Sequence, residues 1–137
     1  MTFVDASAIV AMLTDEADAN ILAHALESAG TPITSSIAVF EATLGLCRKR
    51  HASFAEALAD VTDLPVLGAV ETVGITERDG ATALDAFARY GKERGHPAQL
   101  NLGDCFAYAV AKNRHAAMLF KGEDFNKTDI ESAVPHG

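Results

Sequence analysis

Two rhythms of apolar and polar positions run along this chain, one of short apolar runs and one of helical stripes. Thr2-Phe3-Val4-Asp5 is a short run ending on an acid and predicts a strand, with a helix over Ala6 to Leu13 and Ser7 near its start. Asp15 to Ala29 predicts a second helix, with Ile21, Leu22, Ala25 and Leu26 on one stripe and Gly30 as its stop. Pro32-Ile33-Thr34 predicts a second strand, after which Ser35 or Ser36 caps a helix over Ile37 to Lys49. A further helix covers Phe54 to Val61, Pro65 marks a break, and Val70 to Ile75 is expected as a buried strand. Thr76 with Asp79 three residues on has the pattern of a capping box, and opens a helix through Lys92. Gly95-His96-Pro97 is a loop, Leu102-Gly103 leads into a helix over Asp104 to Asn113, and Ala117 to Phe120 predicts the last strand.

Strands that alternate with helices predict an α/β fold, with a mainly parallel central sheet flanked by helices on both faces. No linker, low-complexity tract or repeat divides it, so residues 1–137 are expected as a single domain with an ordered core over about 2–130. The helical stripes nominate Ile21, Leu22, Leu26, Phe40, Leu44, Leu58, Leu84, Phe87, Phe106 and Val110 as core. In such sheets ligands sit beyond the carboxyl ends of the strands, where the chain order reverses. That rule singles out Asp5 after the first strand, Ser35 and Ser36 after the second, and Gly122, Glu123 and Asp124 after the last.

Composition narrows the function classes. The 137 residues carry 19 Asp and Glu against 11 Lys and Arg, a net charge of −8 that argues against broad adhesion to nucleic acid or anionic membrane. A nucleic-acid substrate then requires bound cations or a basic partner. Cys47 and Cys105 lack any metal-type spacing and lie in apolar helical stretches, as small buried hydrophobes do. No early Lys or Arg precedes the first apolar run, and no run approaches the roughly 18 apolar residues of a membrane span. A cytoplasmic protein without a membrane segment is expected. The five histidines are scattered without H-E-x-x-H spacing, Ser35-Ser36 lacks a nucleophile elbow, and no phosphate-binding glycine pattern follows Asp5.

The carboxylates carry more. On a helix, Glu41 shares its face with Ile37, Ala38, Leu44 and Gly45, where a lone ionised group costs several kcal/mol unless it is paired, protonated or coordinated. Pairing with Arg48, two turns along, is the structural alternative. Asp104 sits on a face with Ala107, Tyr108 and Ala111, although a carboxylate in a first turn is also favoured by the helix dipole. Asp5 and Asp124 have local explanations as well, as a cap and as a turn residue. Four acids at strand ends and helix starts, gathered in one cleft, would repel unless their pKa values rose or a cation bound. Oxygen donors alone favour Mg²⁺ or Mn²⁺ over zinc, and such an ion suits phosphodiester hydrolysis.

The stretches VDASAIV, FEATLGL, NLGDCFAYAVAK and LFKGEDF resemble the acidic motifs of PIN-domain ribonucleases, and more narrowly the VapC-type toxins of toxin–antitoxin pairs. The likeness runs from Thr2 to about Ile130, nearly the whole chain. It implies a PIN-like fold with Asp5, Glu41, Asp104 and Asp124 as the catalytic, metal-binding acids, and Ser7 as their polar support. Gly122 stands where some members place the fourth acid. The resemblance further implies Mg²⁺- or Mn²⁺-dependent endonucleolytic cleavage of RNA, a cognate antitoxin protein whose C-terminal segment enters the acidic cleft, and a toxin homodimer.

An acidic protein that cuts RNA needs positive charge beside its site. Arg48 and Arg50, in the run Arg48-Lys49-Arg50-His51, and Lys121 are candidate RNA contacts, with favourable charge at a helix C-terminus as the competing account of the run. Two other function classes share the length, acidity and alternation. A phosphoacceptor, response-regulator-like module would want paired acids after the first strand, where Ala6 and Ser7 stand instead. A catalytically inactive PIN-like scaffold would keep the fold and a partner surface without turnover.

Overall fold

The computed structural model describes residues 1–134, apart from the side chains of Pro65 and Val66; the last three positions of the expected 1–137 domain lie outside the described residues. Strands β1 (Thr2–Val4), β2 (Pro32–Ser35), β3 (Glu71–Val73) and β4 (Ala117–Leu119) form one parallel sheet in the order β3-β2-β1-β4. The helices are α1 (Ala6–Leu13), α2 (Ala19–Ser28), α3 (Ser36–Arg50), α4 (Phe54–Asp63), α5 (Glu77–Tyr90) and α6 (Leu102–Asn113). From β1 the chain steps outward to β2 and β3, then returns to lay β4 along the other side of β1, with Phe3 beside both Ile33 and Met118. The order therefore reverses between β1 and β4, and Asp5 stands at that point.

Successive strand residues point to opposite faces, and the core divides accordingly. Phe3, Ile33 and Met118 pack with α5 and α6 through Ala83, Ala86, Tyr90, Tyr108 and Val110. Val4 and Leu119 pack with α1 to α4 through Ile9, Leu22, Leu26, Leu46 and Val61. Both faces of the sheet are thus covered, as the alternation of elements requires.

The caps follow local chemistry. Ser35 rather than Ser36 caps α3, its side chain accepting from the Ala38 N–H at 3.2 Å. Thr76 and Asp79 form both bonds of the capping box on α5, at 2.9 and 3.1 Å. Asn101 and Asp104 build a second capping box on α6, at 3.1 and 2.9 Å. Asp79 is 1% exposed, and Asn113 and Arg114 at the end of α6 donate to it, tying α5 to α6.

Several expectations need correction. The second helix begins at Ala19 instead of Asp15, because residues 14–18 turn with Asp15 at a φ of 51°. The stretch Val70 to Ile75 is no buried strand: β3 has three residues at the edge of the sheet, with Glu71 and Thr72 exposed. Helix α5 stops at Tyr90, two residues before Lys92, because Lys92 and Leu100 turn to pair across a loop, the Lys92 N–H reaching the Leu100 carbonyl at 2.8 Å. Of the nominated core, Leu22, Leu26 and Val110 are buried and Leu44 and Phe106 half-buried, whereas Ile21, Phe40, Leu58, Leu84 and Phe87 are exposed. On α5 the face toward α6 is made of Ala83, Ala86 and Tyr90, and Leu84 and Phe87 lie beside it, facing outward.

Candidate active site

Asp5 is placed by β1 and held by α1. Its backbone N–H continues the sheet by reaching the Leu119 carbonyl at 3.0 Å, which points its side chain past the strand end. There the carboxylate caps α1, accepting from the Ser7 N–H at 3.0 Å and from the Ser7 hydroxyl at 2.5 Å. The Ser7 hydroxyl oxygen in turn accepts from the Lys121 N–H at 3.0 Å, so the segment after β4 is clipped to the same point. Ser7 therefore fixes Asp5 and the chain on the far side of it.

Glu41 comes from the middle of α3 and Asp104 from the first turn of α6, and both line one cleft with Asp5 and Ser7. The cleft has a volume of about 580 Å³, and Glu16, Arg48, Lys49 and Lys121 also stand on its walls. Gly103 leaves room for the Glu41 carboxyl group against α6: a Cβ built on it would overlap that group.

Electrostatics separates these acids from ordinary surface carboxylates. Burial pushes the Asp5 carboxyl up, against the lowering effect of the Ser7 hydrogen bonds. Burial and then the Asp5 charge push Glu41 up, and Arg48 only partly offsets them. Asp104 rises to about 7, through burial first and then the charges of Asp5, Glu41 and Asp124, although the Asn101 N–H opposes this. Burial raises all three acids, and repulsion adds to it at Glu41, from Asp5, and at Asp104, from Asp5 and Glu41, as like charges in a poorly solvated site do.

Four of the remaining sequence candidates fall in different places. Arg48 and Lys121 line the cleft. Asp124 is exposed and outside the cleft lining, yet close enough for its charge to act on Asp104. Arg50 is engaged elsewhere, donating to Asp60 of α4 at 3.0 Å and to the Leu13 carbonyl. Lys49, from the basic run at the end of α3, also lines the cleft, and Glu16 is a cleft residue that the sequence did not single out, since only the folded topology brings the α1–α2 turn to the end of α3. The Asn101 cap was missed too, although its signal was available in the three-residue spacing to Asp104.

A hard divalent cation suits this donor set in kind. Oxygen ligands predominate, the acids meet from β1, α3 and α6, and each is biased toward its neutral form by burial, with repulsion added at Glu41 and Asp104. Among the described residues no group of three His, Cys, Asp or Glu side chains is already set in a ligating arrangement, so a shared ion would require the carboxyl groups to turn toward it.

The sequence pattern of the PIN domain matches residues 2–131. A VapC ribonuclease of Rhizobium meliloti is 43% identical over 143 aligned positions, covering 95% of this chain and 99% of its own length. Ribonuclease VapC28 of Mycobacterium tuberculosis is 39% identical, with 96% of each chain covered. The crystal structure of VapC20 of Mycobacterium tuberculosis, described as a toxin that cleaves the sarcin–ricin loop, superposes with a TM-score of 0.77 at 16% identity, over 98% of this chain and all of that one. That likeness concerns the fold alone. With a pattern match spanning nearly its whole length and relatives this similar in sequence, the chain belongs to the PIN domain family and, within it, to the VapC ribonucleases.

Proposed function

We propose that this protein is the toxin of a toxin–antitoxin pair, an endoribonuclease that hydrolyses RNA phosphodiester bonds with Mg²⁺, or Mn²⁺, held by Asp5, Glu41 and Asp104, with Asp124 joining from the rim. The observation that carries the reading is the meeting of three acids from β1, α3 and α6 in one cleft, each with a raised pKa. A bound divalent ion would polarise the phosphate and lower the pKa of an attacking water. The protein's own part is positional. Ser7 fixes Asp5, Gly103 lets Glu41 reach α6, and the Asn101 cap holds the backbone of Asp104. Arg48 and Lys121 on the cleft walls supply positive charge for the RNA backbone that the chain as a whole lacks.

The same acidity suits a cognate antitoxin that inserts a basic side chain into the cleft. A second copy of the chain is the proposed occupant of the exposed apolar strip formed by Phe40, Leu84 and Leu102. A cytoplasmic setting accords with the two free cysteines, and among the described residues no helix is long and apolar enough to cross a membrane. Membership of the VapC ribonucleases disfavours the phosphoacceptor module, and an inactive scaffold is disfavoured for the same reason.

The deciding experiment is cleavage of total cellular RNA with added Mg²⁺ or Mn²⁺, with EDTA, and with Asp5→Asn. Cleavage that needs the metal and Asp5 is expected. Equal cleavage in EDTA or by the variant would overturn the reading.

A further inference from the structure

The cleft contains a second charged assembly beside the three acids. Glu16, in the turn between α1 and α2, sits between two lysines from distant parts of the chain: Lys49 near the end of α3 and Lys121 after β4. Its two oxygens are divided between them. Oε1 is paired with the Lys49 ammonium, and Oε2 lies 2.6 Å from the Lys121 ammonium, which also reaches Asp18 at 3.1 Å. The Glu16 side chain is 19% exposed, against 49% for Lys49 and 38% for Lys121. All three line the same cleft as Asp5, Glu41 and Asp104.

One anion whose two oxygens are each taken by a separate ammonium has the charge pattern of a phosphodiester, whose two non-bridging oxygens would take the same two partners. We propose that Lys49 and Lys121 form a subsite for a backbone phosphate of single-stranded RNA, and that Glu16 occupies it in the free protein as an internal competitor. The inference rests on the ribonuclease reading and specifies how the strand is held. RNA entry exchanges the Glu16 pairing for a phosphate, and Glu16 swings into water. The exchange keeps the lysines placed and partly neutralised until substrate arrives, and it lowers RNA affinity. A purely structural tie between the α1–α2 turn and α3 is the competing account, and exposed ion pairs of that kind contribute only about 0–1 kcal/mol.

The test measures binding of a short fluorescent single-stranded RNA in EDTA across a salt series, together with KM and kcat in Mg²⁺. It compares the wild type with Glu16→Gln, with Lys49→Ala/Lys121→Ala, and with the triple variant. Glu16→Gln is expected to tighten binding and lower KM by about 3–10-fold, with kcat within about twofold. Its salt dependence should steepen by about 0.7 in the logarithmic slope, the value of one single-strand phosphate contact. The gain should vanish when both lysines are absent. Unchanged or weaker RNA binding by Glu16→Gln, or a gain that survives without the lysines, overturns the subsite and leaves a structural tie. A wild type without metal-dependent cleavage would instead overturn the ribonuclease reading, and the binding series would then decide the subsite by itself.

Discussion

The Glu41 carboxyl group lies in the space that a side chain on Gly103 would fill. Helix α3 therefore delivers its acid directly against the first turn of α6, next to Asp104. Any substituent on Gly103 must displace the carboxyl group from its present place, since the Cβ is fixed by the helix backbone while Glu41 has rotatable bonds. Gly103→Ala is expected to cut RNA cleavage by about 100-fold, the scale on which a displacement of about 1 Å acts on catalysis. Circular dichroism should show the helices intact. Cleavage within a few-fold of the wild type would show that the position of Glu41 against α6 is immaterial.

The three acids make stability depend on pH in a direction opposite to that of most proteins. Asp104 titrates near 7 in the folded protein, from an ordinary value of 3.8, because burial and the neighbouring charges oppose its ionised form. Between about pH 4 and 7 the folded state therefore keeps a proton that the unfolded state has lost. Stability is full below that window and falls as pH rises through it, by at most about 1.4 kcal/mol per pH unit for one proton. Asp5 and Glu41, also raised, act in the same sense. Urea titrations in EDTA from pH 4 to 7.5 are expected to show declining stability, with a smaller decline for Asp104→Asn and for the wild type in saturating Mg²⁺. Stability that climbs with pH in EDTA would show that the fold does not oppose ionisation of these acids.

How much of this was legible in the sequence depends on the range of the physics involved. Local signals held: the acid that ends β1, the Ser35 cap and the Thr76–Asp79 capping box are decided within a few residues of themselves. The apolar face of Glu41 was also visible, because helical spacing alone defines it. What was not legible is which apolar face meets the sheet. On α5 the buried face is largely alanine, which permits close approach to α6, while the bulkier Leu84 and Phe87 drew the expectation of core. Glu16 and its pairing with Lys49 were not legible for a related reason, since the two residues are more than thirty positions apart.

Phe40 and Leu84, expected in the core, instead define a surface together with Leu102. Phe40 is 62% exposed, Leu84 75% and Leu102 68%, and Leu102 borders both a groove with Phe40 and Leu44 and another with Leu84, Phe87 and Phe106. Contiguous exposed apolar surface of this kind marks an interface. The wild type is expected to run as a dimer in size-exclusion chromatography with light scattering, and Leu84→Asp as a folded monomer, because Leu84 has no core role to lose. A monomeric wild type at micromolar concentration would count against the second copy as the occupant.

Asp79 shows what a buried acid looks like when its charge is satisfied. Burial alone would raise its pKa, but Arg114 donates to both of its oxygens at 3.1–3.3 Å, with the Thr76 N–H and the Asn113 amide at 2.9 Å, and the carboxyl is held at about 2. Arg114 also reaches the Gly74 carbonyl at 3.0 Å, so one guanidinium ties the start of α5, the end of α6 and the segment after β3. None of these residues lines the acidic cleft. Removing the cation while leaving the carboxylate buried typically costs about 3–5 kcal/mol. Arg114→Ala is expected to lower the free energy of unfolding in urea by that amount, and Arg114→Lys by less than the full loss, since an ammonium cannot fork across both oxygens. The kcat of the folded fraction should stay within about twofold of the wild type in both. A variant with unchanged stability but lost cleavage would place Arg114 in the catalytic machinery instead of the scaffold.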